Sequence, residues 1–183
     1  MRSELNIING VLQVLNEPTL PSLENVGTNH TISTIKGILE RTTDEVLSKG
    51  YWFNTESITL TPLVNGDIVL PQNTLSINSG QYIKKSGKLY NKNGNTYQFT
   101  EAVTITLILN VSYSDMPSTA YYYISDLVAL NALNALDGDS TAMSIAQQSI
   151  KNSRLALKTE AIKNSNTTLL TIPEIQSTRS NLS

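Results

Sequence analysis

The sequence predicts an α+β protein: an antiparallel bundle of about four helices, an inserted antiparallel β domain, and an extended C-terminal arm. Three observations predict it. Apolar residues recur at spacings of three and four near both ends of the chain. Between Tyr51 and Tyr113 the apolar period falls to two. Within that middle stretch, Ser86-Gly87 and Asn93-Gly94 are turn dipeptides of the kind that close β-hairpins.

Each element follows in order. Leu5, Ile8, Val11, Leu12 and Leu15 predict a short amphipathic helix over 4–16. Pro18 and Pro21 cannot continue it, so NEPTLPSLEN reads as a rigid loop. Ile32, Ile35, Leu39, Thr42 and Val46 give a second helix over 28–49, roughly 33 Å long, with Gly50 as its C-terminal cap. Ile58, Leu60 and Pro62 then alternate with polar residues, and Ile68 to Leu70 form a short apolar run. Strands are expected over 81–85, 88–91 and 95–100, with the longest over 102–113. That last segment is apolar on both faces, so both sides should be covered.

Helix resumes at Pro117, placed in the first turn, where its missing N–H costs little. The run to Leu136 is apolar nearly all round and calls for neighbours on several sides. Gly138 suits a C-cap and Asp139 or Ser140 the next N-cap. Met143, Ala146, Ile150, Leu157 and Ala161 carry a fourth helix to about 164. The expected domains are therefore 1–50 with 114–164 as the bundle, 51–113 as the β insertion and 165–183 as the arm. No internal repeat is evident.

Composition narrows the chemistry. The 183 residues suit one domain or one with a satellite. Charged residues make up 15% and the formal net charge is −2, which gives no basic footprint for tight non-specific DNA binding. With no cysteine and a single histidine, His30, thiolate chemistry and multi-histidine metal sites are excluded. The first eighteen residues lack the pattern of a signal peptide, and no stretch approaches a membrane span. Asn-Xaa-Ser/Thr triplets at Asn29, Asn110, Asn166 and Asn181 read as products of an Asn/Thr-rich composition.

The candidate catalytic acids are Glu101, Asp115, Asp126, Asp137 and Asp139. Local structural roles account for them better: Asp115 favours a helix N-terminus electrostatically, and Asp137 and Asp139 flank a turn glycine. GQYIKKSGK (80–88) has the wrong glycine spacing for a phosphate loop and opens a hairpin rather than a helix. Lys84, Lys85, Lys88 and Lys92 interleave with Tyr82, Tyr90 and Tyr97, which would suit a nucleic acid. Edge-strand lysines that block sheet-to-sheet pairing, or protein contact, explain them more simply. Tyr121, Tyr122 and Tyr123 point about 100° apart on a helix, so they are expected to pack on different neighbours and not to form one stacking platform. Tyr51, Trp52 and Phe53 are expected in the core where the second helix meets the first strand.

Four stretches together carry a resemblance: VLNEPTLPSLEN (14–25), LSKGYWFNTES (47–57), YIKKSGKLYN (82–91) and YSDMPSTAYYYI (113–124). In order and spacing they resemble the tail tubular protein A family of short-tailed bacteriophages, also called head-to-tail adaptor proteins. The resemblance spans about residues 5–165. It implies a helical bundle with a β-rich domain and no enzymatic activity, cofactor or metal. It also implies a homo-oligomeric, twelve-subunit ring in the virion tail, assembled in the host cytoplasm. The portal protein would lie above the ring, the tail nozzle protein below, and genomic DNA would pass through without specific binding. On that basis Leu169, Leu170, Ile172 and Ile175 are expected to bind the portal. Tyr82, Lys84, Lys85, Lys88 and Tyr90 are expected to meet the nozzle, and Tyr121, Tyr122 and Tyr123 a neighbouring subunit. The runner-up is a small α+β module that recognises a carbohydrate or peptide; a hydrolase using the acids is third.

Overall fold

The computed structural model describes residues 2–24, 29–136 and 138–170, with side chains to residue 165. Its element order is helix, helix, five strands, helix, helix. Two compact units form: Met1–Thr42 with Tyr113–Ser183, and Thr43–Ser112.

The first unit is helical. α1 (Glu4–Val14) starts at Ser3, whose hydroxyl accepts the Asn6 N–H. It stops two residues before the expected end, because Asn16 takes a left-handed φ of 58° and Glu17 N–H reaches back to the Leu12 carbonyl. The described part of the loop after it is tied back to α1. The Asn9 amide donates to the Leu20 carbonyl (2.9 Å) and accepts from the Leu20 N–H (2.8 Å). α2 (His30–Leu47), whose end from Thr43 onward belongs to the second unit, is shorter than predicted; Asn29 accepts the Ile32 N–H and serves as its N-cap.

α3 (Ser118–Ala135) begins one residue after Pro117, which is the N-cap rather than part of the first turn. Seven of its residues are buried, among them Tyr121, Tyr123, Ile124 and Val128. α4 (Ser140–Leu170) is capped by Asp139, which accepts the Thr141 N–H at 2.8 Å. Gly138 lies against Leu133, where an added Cβ would sit 3.0 Å from the Leu133 Cα. The expected helix end near 164 is overrun: no glycine or proline intervenes before Pro173, and the helix continues to Leu170.

The second unit holds two small antiparallel sheets. β1 (Thr55–Leu60), β5 (Val103–Leu109) and β2 (Thr74–Ile77) form one, in the order β1-β5-β2. The registers run Thr55 opposite Ile108 and Ile77 opposite Leu107, with an irregularity between Thr74 and Ser76. β3 (Tyr82–Lys85) and β4 (Lys88–Asn91) form a hairpin whose Ser86-Gly87 turn has both φ values positive.

Three strand expectations need correction, and one strand goes unpredicted. Residues 95–100 contribute a single bridge, Asn91 to Thr96, because Asn95 is left-handed and breaks the extension. β5 is shorter than 102–113. It buries Ile105, Leu107 and Leu109 on one face and leaves Ile108 half-buried, so its two faces are not equally covered. β2 goes unpredicted: Leu75 and Ile77 do alternate with Thr74, Ser76 and Asn78, but two apolar residues between Pro71 and Gly80 make too short a pattern to stand alone. The core joins Ile68, Leu70, Leu89, Ile105, Leu107 and Leu109.

Candidate functional site

The three tyrosines divide. Tyr121 and Tyr123 are buried, and Tyr122 is 60% exposed. The Tyr121 hydroxyl donates to the Ser3 carbonyl at 3.0 Å, fixing the start of α1 against α3. Burial raises the Tyr121 pKa above the ordinary phenol value, and the Ser3 hydrogen bond opposes that rise. Side chains 100° apart on a helix still touch at their rims: the Tyr121 and Tyr122 rings meet edge-on at 5.6 Å. Tyr122 therefore leans over a groove between α1 and α3, of about 570 Å³. Asn6, Gly10 and Val14 line one wall and Ser125, Asp126 and Ala129 the other. Gly10 keeps the groove open, since a Cβ built there would meet nothing within 4 Å.

Asp126 is the acidic side chain in that groove. Burial raises its pKa above the usual carboxylate range, partly offset by a hydrogen bond from Ser153. Among the described residues no second acid lines this groove to complete a general-acid/base pair, and Arg2 is the basic residue of the lining. Asp115 is exposed and precedes the Pro117 cap without serving as a side-chain cap. Glu101 is exposed. Asp139 caps α4, and Asp137 lies outside the described residues. Among the described residues no three metal-ligating side chains converge.

The hairpin lysines Lys84, Lys85 and Lys88 are each engaged within their own unit. Lys88 pairs with Asp67 at 2.6 Å, and that carboxylate is 9% exposed. Lys84 donates to the Thr74 carbonyl. Lys85 sits over the Tyr90 ring at 4.7 Å and reaches Tyr97 at 5.9 Å. Tyr90 and Tyr97 meet at 4.8 Å, and Tyr82 packs near Phe99. These three charges are spent on internal partners, so the hairpin does not present a free basic strip for a phosphate backbone. Among the residues this unit exposes are four apolar ones: Leu63, Val64, Val69 and Ile83.

The aromatic triplet after α2 is half-buried rather than core, because its rings pack mainly on one another. Tyr51 stacks on Phe53 at 5.5 Å and Trp52 meets Phe53 edge-on at 5.2 Å. The residue that sequence reasoning passes over is Asn54, fully buried beside them. Of the four arm residues, Leu169 and Leu170 stand in the last turn of α4, and Ile172 and Ile175 lie outside the described residues. The groove residues Asn6, Gly10 and Val14 are also missed by sequence reasoning. A glycine inside an amphipathic helix, which weakens it by about 1 kcal/mol relative to alanine, is the available signal.

Two comparisons bear on this arrangement. The family model described as tail tubular protein matches residues 5–167. The chain is also similar to tail tubular protein A of Klebsiella phage KP34, 26% identical over 160 residues, which is 85% of each chain.

Proposed function

The chain belongs to the tail tubular protein family and is a structural component of a bacteriophage tail; from that premise we propose that it is the head-to-tail adaptor. About twelve copies form a ring between portal and nozzle, and the genome passes through the lumen. The observation that carries this reading is the family match over 5–167, most of the chain. The geometry supports it in kind. A rigid helical unit offers an open groove rimmed by exposed Tyr122, a surface suited to a protein neighbour. The β unit exposes Leu63, Val64, Val69 and Ile83, a second surface suited to the nozzle. The slightly acidic chain, net −2, favours DNA sliding past over DNA sticking. The protein acts by shape and has no catalytic step; it assembles in the host cytoplasm. The α4 terminus and the segment after it face the portal. Sedimentation velocity with and without purified portal tests the reading. A ring-sized species in at least one of the two conditions is expected. A compact monomer in both overturns it.

A further inference from the structure

α4 is two-faced in an unusual way. Its inner stripe, Ala146, Ile150, Ser153 and Leu157, turns toward the rest of the helical unit. At about 100° per residue, Lys151, Leu155, Lys158 and Ile162 fall on the side facing away from it. Leu155 is 66% exposed and Ile162 60% exposed, seven residues apart and so in line along the helix. Lys151, Arg154 and Lys158 stand beside them at i, i+3 and i+7, all exposed. Among the described residues none of the three is held in a hydrogen bond or ion pair. No acid lies three or four residues from any of them on the helix, so the like charges oppose helix formation uncompensated.

The same helix begins with the opposite combination. Its first turns, with the end of α1 and the middle of α3, enclose a groove of about 400 Å³. Val14, Ala129 and Ile145 give it apolar walls, and Ile145 is 64% exposed. Asp126 and Asp139 supply its charge, and among the described residues no basic side chain lines it.

One chain thus carries an apolar surface with three cations and a second apolar surface with two anions. An isologous pairing of either surface with itself sets like charge on like charge. A head-to-tail pairing of one with the other satisfies both, and head-to-tail contacts are the kind that close rings. We propose that the outer face of α4 in one subunit docks into the acidic groove at the start of α4 in the next copy. Leu155 and Ile162 meet the walls formed by Val14 and Ile145, and Lys151, Arg154 and Lys158 approach Asp126 and Asp139. The proposal rests on the adaptor-ring reading and says which two surfaces of the ring subunit meet.

Charge reversal tests it. One variant carries Lys151→Glu and Lys158→Glu. The other carries Asp139→Asn, which keeps the cap, with Thr141→Lys and Ile145→Lys. All five positions are exposed. Each full-length variant is assayed by sedimentation velocity under the condition in which the unaltered protein assembles, and circular dichroism verifies its folding. Each alone is expected to lose self-association by about tenfold or more. An equimolar mixture is expected to recover it, because the reversed α4 faces only the reversed groove and the native α4 only the native one. If folded single variants assemble like the unaltered protein, the pairing is wrong while the ring stands. The pairing is equally wrong if the mixture of folded variants stays dissociated. An unaltered protein that remains monomeric with and without portal removes the ring reading itself and this pairing with it.

Discussion

The side-chain amide of Asn54 donates to the Leu109 carbonyl at 2.9 Å, across 55 positions of sequence. Its second N–H reaches the Leu47 carbonyl at 2.9 Å, and its oxygen accepts the Tyr51 N–H at 2.7 Å. The Asn54 carbonyl in turn accepts the Leu109 N–H. One fully buried residue thereby holds the C-terminal end of α2 to the end of β5.

Asn54→Leu removes three hydrogen bonds, those to the Leu47 and Leu109 carbonyls and the one from the Tyr51 N–H, although the Leu47 carbonyl keeps the Gly50 N–H. Leaving buried polar groups unpaired costs about 1–3 kcal/mol each, less whatever water recovers. The expected loss is about 2–4 kcal/mol. Urea unfolding checks it, followed by the fluorescence of Trp52, which lies two residues away. A shift below about 1 kcal/mol would show that the network is not what joins these elements.

Glycine substitutions separate backbone need from empty space. Gly50 has φ 70°, and a Cβ there would meet Ile108 Cδ1 at 2.9 Å. Gly50→Ala should cost about 1–2 kcal/mol. Gly10 sits in α1 with nothing within 4 Å of an added Cβ, so Gly10→Ala should stabilise by about 0.5–1 kcal/mol. Thermal unfolding of the two variants should move in opposite directions.

Asp126 makes stability fall with rising pH. Its folded pKa lies above the unfolded value, chiefly through burial, so the folded state holds its proton more tightly. Its contribution is therefore full below the ordinary carboxylate range and lost as pH rises through the raised folded pKa. Asp126→Asn should raise the melting temperature at neutral pH and flatten this part of the profile. Melting curves from about pH 4 to about pH 8 on both proteins check the sign; an unchanged slope contradicts it.

Tyrosines 121 and 122 should fail in different ways. Tyr121→Phe loses the bond to Ser3 and should destabilise the fold by about 1 kcal/mol. Tyr122→Ala removes a mostly exposed ring and should leave stability within about 0.5 kcal/mol. Assembly should respond to Tyr122→Ala alone. Paired melting and sedimentation data on the two variants distinguish these outcomes.

Much of this fold is legible in the sequence, and for a physical reason. A helix face announces itself by repeated apolar spacing, so α1 to α4 are found, as is the inner stripe of α4. Turn dipeptides announce the β3–β4 hairpin. What escapes is whatever depends on distant partners. β2 has only Leu75 and Ile77 as an alternating apolar pair, too little to announce a strand by itself, and it is the pairing with β5 that makes it one. Asn54 reads as a loop asparagine until Leu109 is brought beside it. The hairpin lysines read as a surface cluster until Asp67, Thr74 and Tyr90 are seen to absorb them. The candidate site is less legible than the fold, because an interaction surface is defined by what is left unpaired. Leu155 and Ile162 are single apolar residues on a polar face, and only their exposure marks them.

Electron microscopy of the protein mixed with its portal tests the central claim most directly. The expected result is a ring of subunits stacked on one end of the portal, with an open central channel. Bare portals beside free monomers, at concentrations well above those of assembly, would contradict it.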